Sequence, residues 1–355
     1  MDKTVGVIGA GSFGTAIANL LGHNVDVLMF GRKPEVVAEI NRSREHMGVP
    51  LHHRIQATSD LQEVVERCTL LFPVVPSVNF REVLRQMAPF LKPYHLMIHA
   101  TKGFDIQGIS EEDLLLPGAQ LSRDQVSTMS EVILQETVVL RVGCLSGPNL
   151  ATEILQGQPT ATVIASRFDE VIDAGQKVLS SAYFQVFGSH DLMGAELAGA
   201  LKNVIAIGSG LLKGKGYGKN IQAMLITRGL MEMVRFGQAM GATAPAFFGT
   251  AGIGDLVATC TSKKSRNYTF GFRLGQGESV EEILGTMPEL AEGVRTLKIT
   301  QQLAKYYKLH VPITDMLYKV VFDKFPFEKA IDYLMTYPYD VDVDFLQMSP
   351  PDVKS

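Results

Sequence analysis

The fold is decided close to the amino terminus, by the stretch Thr4-Val5-Gly6-Val7-Ile8-Gly9-Ala10-Gly11-Ser12-Phe13-Gly14-Thr15-Ala16-Ile17-Ala18. Gly9, Gly11 and Gly14 form a G-x-G-x-x-G array between a run typical of a strand and a run typical of a helix. In such an array the first glycine permits a tight turn, the second lets the backbone approach a diphosphate, and the third allows close helix packing. The N–H groups at the start of the helix favour the same anion. The stretch therefore predicts a dinucleotide-binding turn.

Short β-rich runs alternate with helix-like stretches from residue 4 to about residue 190, as expected of βαβ units. The predicted strands are Val5 to Ile8, Val25 to Phe30, Leu70 to Val74, Leu96 to His99, Val138 to Leu145, Thr162 to Ala165 and Phe184 to Phe187. After Asp191 the predicted elements are helices: Ala195 to Leu212, Asn220 to Met240, Val280 to Leu284, Thr296 to Tyr306 and Ile313 to Phe322. We therefore predict an α/β fold class. A Rossmann-like, doubly wound, mostly parallel sheet would form a dinucleotide-binding domain over residues 1–191, followed by an all-α substrate and catalytic domain over residues 192–355.

The composition of the 355 residues excludes several classes of protein. Hydrophobic residues make up 46%, enough to bury a core, so a wholly disordered chain is excluded. The formal net charge of −4 gives no overall positive field, and we expect no nucleic-acid partner. The longest apolar stretch, Leu197 to Leu212, contains Lys202 and Asn203, and we expect it to be too short and too polar to cross a bilayer.

The cysteines and the start of the chain favour a cytoplasmic location. Cys68, Cys144 and Cys260 are odd in number and form no Cys-x-x-Cys pair, which favours a reducing compartment. The first residues lead directly into the first predicted strand, without the features of a signal peptide.

Two further patterns are reminiscent of ligand sites, but we interpret them otherwise. His95 and His99 have the spacing of a helical metal pair, yet the residues between them form a predicted strand, so no metal site is predicted. The segment Gly208 to Lys219 is rich in glycine and lysine but does not fit the phosphate-binding pattern G-x-x-x-x-G-K-[ST]. It is predicted to be a flexible, solvated connection between helices.

The second predicted strand leads into Phe30-Gly31-Arg32-Lys33. An NAD-selective domain usually offers Asp or Glu to the ribose hydroxyls at this point, whereas this chain offers two cations. Arg32 or Lys33 can pair with a 2′-phosphate, which favours NADP(H) or the use of both cofactors. In the alternative interpretation both cations are solvated turn residues, and Glu35 contacts the ribose.

Lys202 lies in the most informative stretch of the second half, Glu196-Leu197-Ala198-Gly199-Ala200-Leu201-Lys202-Asn203-Val204-Ile205-Ala206. On a helix it shares a face with small or apolar residues: Ala195, Ala198, Gly199, Ile205 and Ala206. Poor solvation there would lower the pKa of Lys202 towards neutrality, so that it could protonate a developing alkoxide without a metal. The alternative is a surface lysine whose ammonium group reaches water.

A second group of polar residues lies in Gly252-Ile253-Gly254-Asp255-Leu256-Val257-Ala258-Thr259-Cys260-Thr261-Ser262-Lys263-Lys264-Ser265-Arg266-Asn267. Arg266 offers a bidentate fork, and Ser265 and Asn267 add neutral donors, which together suit a phosphate monoester. The alternative is an exposed basic loop with no ligand.

Several short motifs follow one another along the chain. They are Gly9 to Gly14, Thr101-Lys102-Gly103, Ser146-Gly147-Pro148-Asn149-Leu150-Ala151, Glu196 to Asn203, Ile226-Thr227-Arg228-Gly229, Gly252 to Cys260, Ser265-Arg266-Asn267 and Glu292-Gly293. Together, over residues 4 to about 330, they resemble the family of NAD(P)-dependent glycerol-3-phosphate dehydrogenases of the bacterial type. The resemblance implies hydride transfer between NADP(H) or NAD(H) and a small phosphate ester. Dihydroxyacetone phosphate and sn-glycerol 3-phosphate would be interconverted for glycerophospholipid synthesis, in a homodimer.

The resemblance also implies roles for individual residues. Lys202 would give and take the proton at the carbinol oxygen, Lys102 would bridge cofactor and substrate, and Asp255 would hold a substrate hydroxyl or the catalytic lysine. The other residues implied to bind the substrate are Gly147, Asn149, Asn203, Thr259, Ser265, Arg266 and Asn267. The residues implied to bind the cofactor are Gly9, Gly11, Ser12, Phe13, Gly14, Arg32, Lys33, Lys102, Ala151, Arg266, Leu290 and Glu292.

Two features depart from the family pattern. Asn149 stands where many bacterial members have Ser or Thr, and the tail beyond about Pro338, which includes Asp340-Val341-Asp342-Val343-Asp344, matches no motif. The acidic tail is predicted to be a solvated end, with a strand as the alternative. Two other functions stay open: a related dehydrogenase of the 6-phosphogluconate or 3-hydroxyacid type, and a regulatory protein that binds NADP(H) without turnover.

Overall fold

A large β-sheet organises the amino-terminal half of the molecule. The computed structural model describes residues 4–116, 119–287 and 291–338. The strands in these residues are β1 (Thr4–Ile8), β2 (Asp26–Phe30), β3 (Glu45–His46), β4 (Val49–Pro50), β5 (Ile55–Thr58), β6 (Leu70–Pro73), β7 (Leu96–His99), β8 (Asp105–Ile106), β9 (Val126–Ser127), β10 (Arg141–Ser146), β11 (Thr160–Ser166) and β12 (Phe184–Ser189).

Eight of these strands form the main sheet, in the order β12-β11-β10-β7-β6-β1-β2-β5. Among the described neighbours, β10 and β11 pair antiparallel and the other pairs are parallel, which confirms the predicted mostly parallel sheet. The chain leaves β1 towards β2 on one side and later returns to β6 on the other. The crevice at the carboxyl end of β1 is therefore the switch point at which such sheets bind their ligands.

Helices cover both faces of this sheet. They are α1 (Ser12–Gly22), α2 (Pro34–Ser43), α3 (Leu61–Arg67), α4 (Ser77–Met87), α5 (Met129–Glu136), α6 (Ala151–Leu155) and α7 (Asp169–Leu179). Successive residues of a strand face opposite sides of a sheet. In β1, Val7 packs into the apolar cluster that contains Ile17 and Ile164, whereas Ile8 packs into the cluster that contains Phe80 and Leu84. The sheet is thus doubly wound, as predicted.

The carboxyl-terminal half is helical and is built around one long helix. Its helices are α8 (Leu192–Gly214), α9 (Lys219–Ala239), α10 (Asp255–Thr261), α11 (Arg266–Gly275), α12 (Val280–Thr286), α13 (Glu292–Tyr307), α14 (Pro312–Phe322) and α15 (Phe327–Met335). Helix α8 contacts α9, α10, α11 and α13. Gly210 and Gly271 bring α8 and α11 together, because a Cβ at either position would overlap a backbone carbonyl of the facing helix.

The structure corrects several expectations about element boundaries. Gly208 to Gly214 is the buried end of α8 and not a solvated connection, which is confined to residues 215–218. With 23 residues, α8 is long and apolar enough to cross a bilayer by length and composition alone. The expectation that this stretch is too short and too polar was therefore wrong. Nearly all of it is buried inside the protein, which accounts for its composition. Strand β5 of the main sheet was missed, and the fifth predicted strand, now β10, begins at Arg141 instead of Val138. The acidic tail lies outside the described residues.

Candidate active site

Lys202 lies in the middle of α8, and its side chain is only 7% exposed. The residues that share its face, among them Ala195, Ala198 and Ile205, are buried with it. Burial lowers the pKa of Lys202 to about 7, and the nearby Asp255 carboxylate partly opposes that shift. Lys202 is therefore a desolvated lysine that exchanges a proton near neutral pH, and the alternative of a surface lysine is wrong.

The Asp255 carboxylate, at the start of α10, joins two lysines. One oxygen accepts a hydrogen bond from Lys202 Nζ, and the other accepts from Lys102 Nζ at 2.6 Å. Lys202 Nζ also donates to Thr259 Oγ1 at 2.6 Å, and that hydroxyl donates to the Asp255 carbonyl. The residues before Asp255, Thr250–Gly254, form a widened π-helical turn of the kind often found at functional sites. The buried Asp255 and Lys202 and the partly buried Lys102 thus form one hydrogen-bonded group, which we call the lysine–aspartate trio.

Lys102 reaches this group from the other half of the chain. It follows β7 by a few residues, and its Nζ donates to the carbonyl oxygen of Gly147, just after β10, at 3.0 Å. Its stem lies against α8 at Gly199, where an added Cβ would sit 3.4 Å from Lys102 Cγ. The trio therefore lies at the carboxyl ends of the central strands, where open α/β sheets bind ligands.

Asn149 and Asn203 are close in sequence to partners of the trio: Asn149 follows Gly147 by two residues, and Asn203 follows Lys202 on α8. Asn149 Nδ2 donates to Thr162 Oγ1 at 2.8 Å, whereas its buried Oδ1 has no hydrogen-bond partner among the described residues. Asn203 is buried next to Lys202, and its amide makes a long contact of 3.4 Å to the Gly199 carbonyl. Ala151 begins α6, two residues after Asn149. An unpartnered buried oxygen such as Asn149 Oδ1 is an expected feature of a site that takes a polar ligand.

Ser265, Arg266 and Asn267 form the start of α11. Ser265 caps the helix by accepting from the N–H of Tyr268 at 3.3 Å. Asn267 is buried, and its Oδ1 accepts from the N–H of Gly293 at 2.8 Å, which ties α11 to α13. Arg266 is exposed. A helix start of this kind, with an arginine beside it, suits an anion.

The glycine array has the geometry that a dinucleotide requires. Gly9 has φ = +128°, and a Cβ there would overlap the Val74 carbonyl. A Cβ on Gly14 would overlap the Gly9 carbonyl, whereas Gly11 faces open space with no atom within 4 Å. Ser12 and Phe13 open α1, whose first turn has no acidic residue and no side-chain cap on its N-cap residue. The residues present therefore fit a diphosphate at this helix start.

The end of β2 carries the charged groups on which both interpretations of cofactor selectivity depend. Arg32 and Lys33 are exposed, and Lys33 is the N-cap residue of α2. Glu35, also exposed, lies in the first turn of the same helix. The structure therefore brings cations and a carboxylate to the same edge.

Glu292 closes the junction between the two halves. It begins α13, and its carboxylate accepts from the N–H and the hydroxyl of Ser77, at the start of α4. Arg295, one turn on, is buried and donates to the Phe104 carbonyl. Ser77 and Arg295 were not among the predicted site residues, although two opposite charges in the first turn of α13, Glu292 and Arg295, are a signal that could have indicated an anchored helix. Leu290 lies outside the described residues.

The two histidines considered as metal ligands have other partners. His95 Nε2 lies 3.0 Å from the Val65 carbonyl, and His99 Nε2 lies 3.0 Å from a Glu196 carboxylate oxygen. Within the described parts of the chain there is no group of three or more His, Cys, Asp or Glu residues that could hold a metal ion.

A dinucleotide-binding sheet joined to a helical half, with a desolvated lysine where they meet, defines a nicotinamide-dependent dehydrogenase. Comparison with known families gives the particular one. A family model described as NAD-dependent glycerol-3-phosphate dehydrogenase N-terminus matches residues 4–172, and the corresponding C-terminus model matches residues 191–332. The chain therefore belongs to the NAD(P)-dependent glycerol-3-phosphate dehydrogenase family.

Individual relatives agree with this assignment. Glycerol-3-phosphate dehydrogenase [NAD(P)+] of Saccharophagus degradans is 41% identical over 96% of this chain and 92% of its own length. The protein of the same name from Geobacter metallireducens is also 41% identical, over 95% of this chain and 98% of its own. The crystal structure of glycerol-3-phosphate dehydrogenase from Coxiella burnetii has a TM-score of 0.83 at 30% identity, covering 94% of this chain and 98% of that one.

Proposed function

We propose that this chain interconverts dihydroxyacetone phosphate and sn-glycerol 3-phosphate with NADP(H) or NAD(H), supplying glycerol phosphate for glycerophospholipid synthesis. The observation that carries the proposal is the desolvated Lys202, whose pKa is about 7, hydrogen-bonded to Asp255 beside Lys102. A proton donor for a carbonyl is most effective when its pKa lies near the working pH.

Lys202 is the proton donor and acceptor in this mechanism. When bound, the nicotinamide supplies or accepts the hydride at the substrate's central carbon. During reduction, Lys202 Nζ gives its proton to the carbonyl oxygen, and during oxidation the neutral amine removes the hydroxyl proton. Because its pKa is about 7, both protonation states are populated near neutral pH.

Asp255 orients both lysines towards the substrate. Lys102 Nζ donates to Gly147 and Asp255, and Lys202 Nζ donates to Asp255 and Thr259. Each ammonium therefore has two partners among the described residues, which leaves one of its three N–H donors for the substrate oxygen. Asn149 and Asn203 would complete the substrate site, and the buried Oδ1 of Asn149, which has no partner among the described residues, can accept from a substrate hydroxyl.

The start of α11 would hold the phosphate end of the substrate. Arg266 supplies the bidentate fork, Ser265 and Asn267 supply neutral donors, and the helix N-terminus supplies its N–H groups. Fixing the phosphate there and the carbonyl at Lys202 aligns the three-carbon molecule for reaction. Arg266, Leu290 and Glu292 would also contact the cofactor.

The cofactor's diphosphate would lie over Gly9, Gly11 and Gly14, against the start of α1 with Ser12 and Phe13. Arg32 and Lys33 would contact a 2′-phosphate, and Ala151 would lie on the nicotinamide side. Gly11 supports this placement, because the space above it is open.

The proposal extends to the organisation of the protein. Residues 1–191 would form the cofactor domain and residues 192–355 the substrate domain. A cytoplasmic location is supported by the odd number of cysteines and the lack of a Cys-x-x-Cys pair in the sequence. A homodimer is proposed as well, and light scattering on the purified chain would measure it.

The substitution Lys202→Ala tests the proposed function. We expect it to lower kcat for dihydroxyacetone phosphate by at least ~10²-fold, with the cofactor affinity nearly unchanged, because proton transfer loses its donor. Oxidation of NADPH or NADH, followed at 340 nm, measures the rate. Near-normal turnover in the variant would remove Lys202 from the mechanism. If the unmodified protein turned over 6-phosphogluconate or a 3-hydroxyacid but not glycerol 3-phosphate, it would be one of the related dehydrogenases. If it turned over none of these substrates, it would be a regulatory protein that binds NADP(H).

A further inference from the structure

Glu196 is a buried acid to which the mechanism above gives no role. It lies on α8, fewer than two turns before Lys202, and its side chain is 5% exposed. A carboxylate buried to this extent is costly unless several donors satisfy it. Donors from neighbouring elements must therefore account for its presence in this mostly apolar helix.

The partners of Glu196 all belong to the other half of the chain. Its Oε1 accepts from the N–H of Ser130 at 2.8 Å, and its Oε2 accepts from Thr128 Oγ1 at 3.0 Å, both at the start of α5. His99 Nε2, at the end of β7, lies 3.0 Å from Oε1 and forms a hydrogen bond with Ser130 Oγ, the hydroxyl of the same helix start, at 3.2 Å. One carboxylate thus attaches α8 both to a helix start and to a strand end of the main sheet.

This attachment adjoins the trio of Lys102, Asp255 and Lys202. His99 and Lys102 are three residues apart on the same segment of chain. Gly199, which lies on the Glu196 side of α8, packs against the Lys102 stem, and an added Cβ there would sit 3.0 Å from Ser146 Oγ. The contact between Glu196 and His99 therefore fixes how the helix that carries Lys202 lies on the strand that leads to Lys102.

We propose that Glu196, paired with His99, is a positioning residue for the reaction. It holds α8 on β7 so that Lys202 and Lys102 reach the two oxygens of the same Asp255 carboxylate. This inference depends on the proposed function, because it assigns Glu196 an effect that passes through Lys202. A shift of about 1 Å in such a constellation is enough to cost ~10²-fold in rate.

Glu232 provides a matched control for this test. It is also a buried carboxylate at a helix start, accepting from the N–H groups of Ile313 and Thr314 and from the Thr314 hydroxyl. It lies on α9 and joins two helices of the carboxyl-terminal half, away from the trio. Burial raises the pKa of Glu232 to about 7, so Glu232→Gln, compared above that pH, removes a buried, helix-capping carboxylate without changing how α8 lies on β7.

The experiment compares Glu196→Gln with Glu232→Gln in the full-length enzyme. Thermal unfolding gives the stability of each variant, and kcat and KM for dihydroxyacetone phosphate are measured at a temperature where both are fully folded. We expect kcat to fall ~10-fold or more in Glu196→Gln, with KM for the substrate little changed, and to stay within about twofold in Glu232→Gln. Equal kcat values in the two variants would overturn the proposal.

A second pair of variants decides the question if Glu196→Gln does not fold. His99→Gln keeps an N–H donor near the position of His99 Nε2, whereas His99→Phe keeps the ring and removes the donor. We expect His99→Gln to retain most of the unmodified enzyme's kcat and His99→Phe to lose it ~10-fold. Equal kcat values in these two variants would also overturn the proposal. If the unmodified protein does not reduce dihydroxyacetone phosphate, the proposed function fails instead, which is a separate result.

Discussion

Ser77 and Glu292 stand 215 positions apart in the chain, yet both donors of Ser77 reach the Glu292 carboxylate, the N–H at 3.0 Å and the hydroxyl at 2.6 Å. Gly103, next to Lys102, leaves room for this contact, since an added Cβ would lie 3.0 Å from Ser77 Oγ and 3.4 Å from Glu292 Oε2. The contact joins the start of α4 to the start of α13 beside the candidate active site.

Loss of the Ser77 hydroxyl should weaken cofactor binding more than it slows the reaction. We expect Ser77→Ala to raise KM for NADPH roughly 10-fold with kcat nearly unchanged, because a hydrogen bond to a charged group contributes about 1.5 kcal/mol or more. Initial rates at varied NADPH measure the effect. Thr243→Val is the control, because it removes a similar bond, from Thr243 to Asp191 at 2.6 Å, elsewhere at the junction. Equal changes in both variants would contradict a role for Glu292 at the cofactor.

The two directions of the reaction should depend on pH in opposite ways. Reduction requires protonated Lys202, so its kcat/KM should fall as pH rises through about 7, the pKa of Lys202. Oxidation requires the neutral amine, so its kcat/KM should rise over the same interval. Rate profiles measured in both directions test this. The substrate phosphate has its second pKa at about 6. A change in kcat/KM with pH that has the same direction for reduction and for oxidation would therefore come from the phosphate and not from Lys202.

Gly11 and Gly14 should fail in different ways when each is changed to alanine. A Cβ at Gly14 would overlap the Gly9 carbonyl, so Gly14→Ala should lower the melting temperature as well as the affinity for NADPH. Gly11 faces open space, so Gly11→Ala should leave the melting temperature unchanged and raise the Kd for NADPH by about 10-fold or more, because the diphosphate approaches there. Thermal unfolding and fluorescence titration with NADPH measure the two effects. An unchanged Kd in Gly11→Ala would place the diphosphate elsewhere.

The basis of cofactor choice can be read from two sets of variants. If Arg32 and Lys33 bind a 2′-phosphate, the double variant R32A/K33A should raise KM for NADPH by ~10-fold or more and leave KM for NADH nearly unchanged. Glu35→Ala is the matched variant on the same edge. A rise in KM for NADH in Glu35→Ala, with no effect of the double variant on NADPH, would favour the ribose interpretation.

The sequence predicted the parts of the molecule that rest on local signals. The strand, glycine array and helix from Thr4 to Gly22 follow one another in the chain, and the structure confirms them. The apolar face around Lys202 was predicted from helical spacing, and its burial is confirmed. In each case the residues that determine the feature are near neighbours.

The expectations that failed depended on packing between distant segments. The glycines of Gly208 to Gly214 have low helix propensity, yet the segment stays helical because α11 packs closely against it. The partnership of Glu196 with Ser130 joins residues 66 positions apart, and no spacing along the chain indicates it. The charged residues of the site could therefore be predicted from the sequence, whereas the residues that hold them in place could not.

Lys102 belongs to the amino-terminal half of the chain, whereas Asp255 and Lys202 belong to the carboxyl-terminal half. Neither half alone therefore contains a complete reaction centre. Recombination that replaced one half with the corresponding half of a distant homologue would bring together two contact surfaces that had not evolved together. Inheritance should therefore keep the two parts together, and substitutions along their shared boundary should accumulate in compensating pairs.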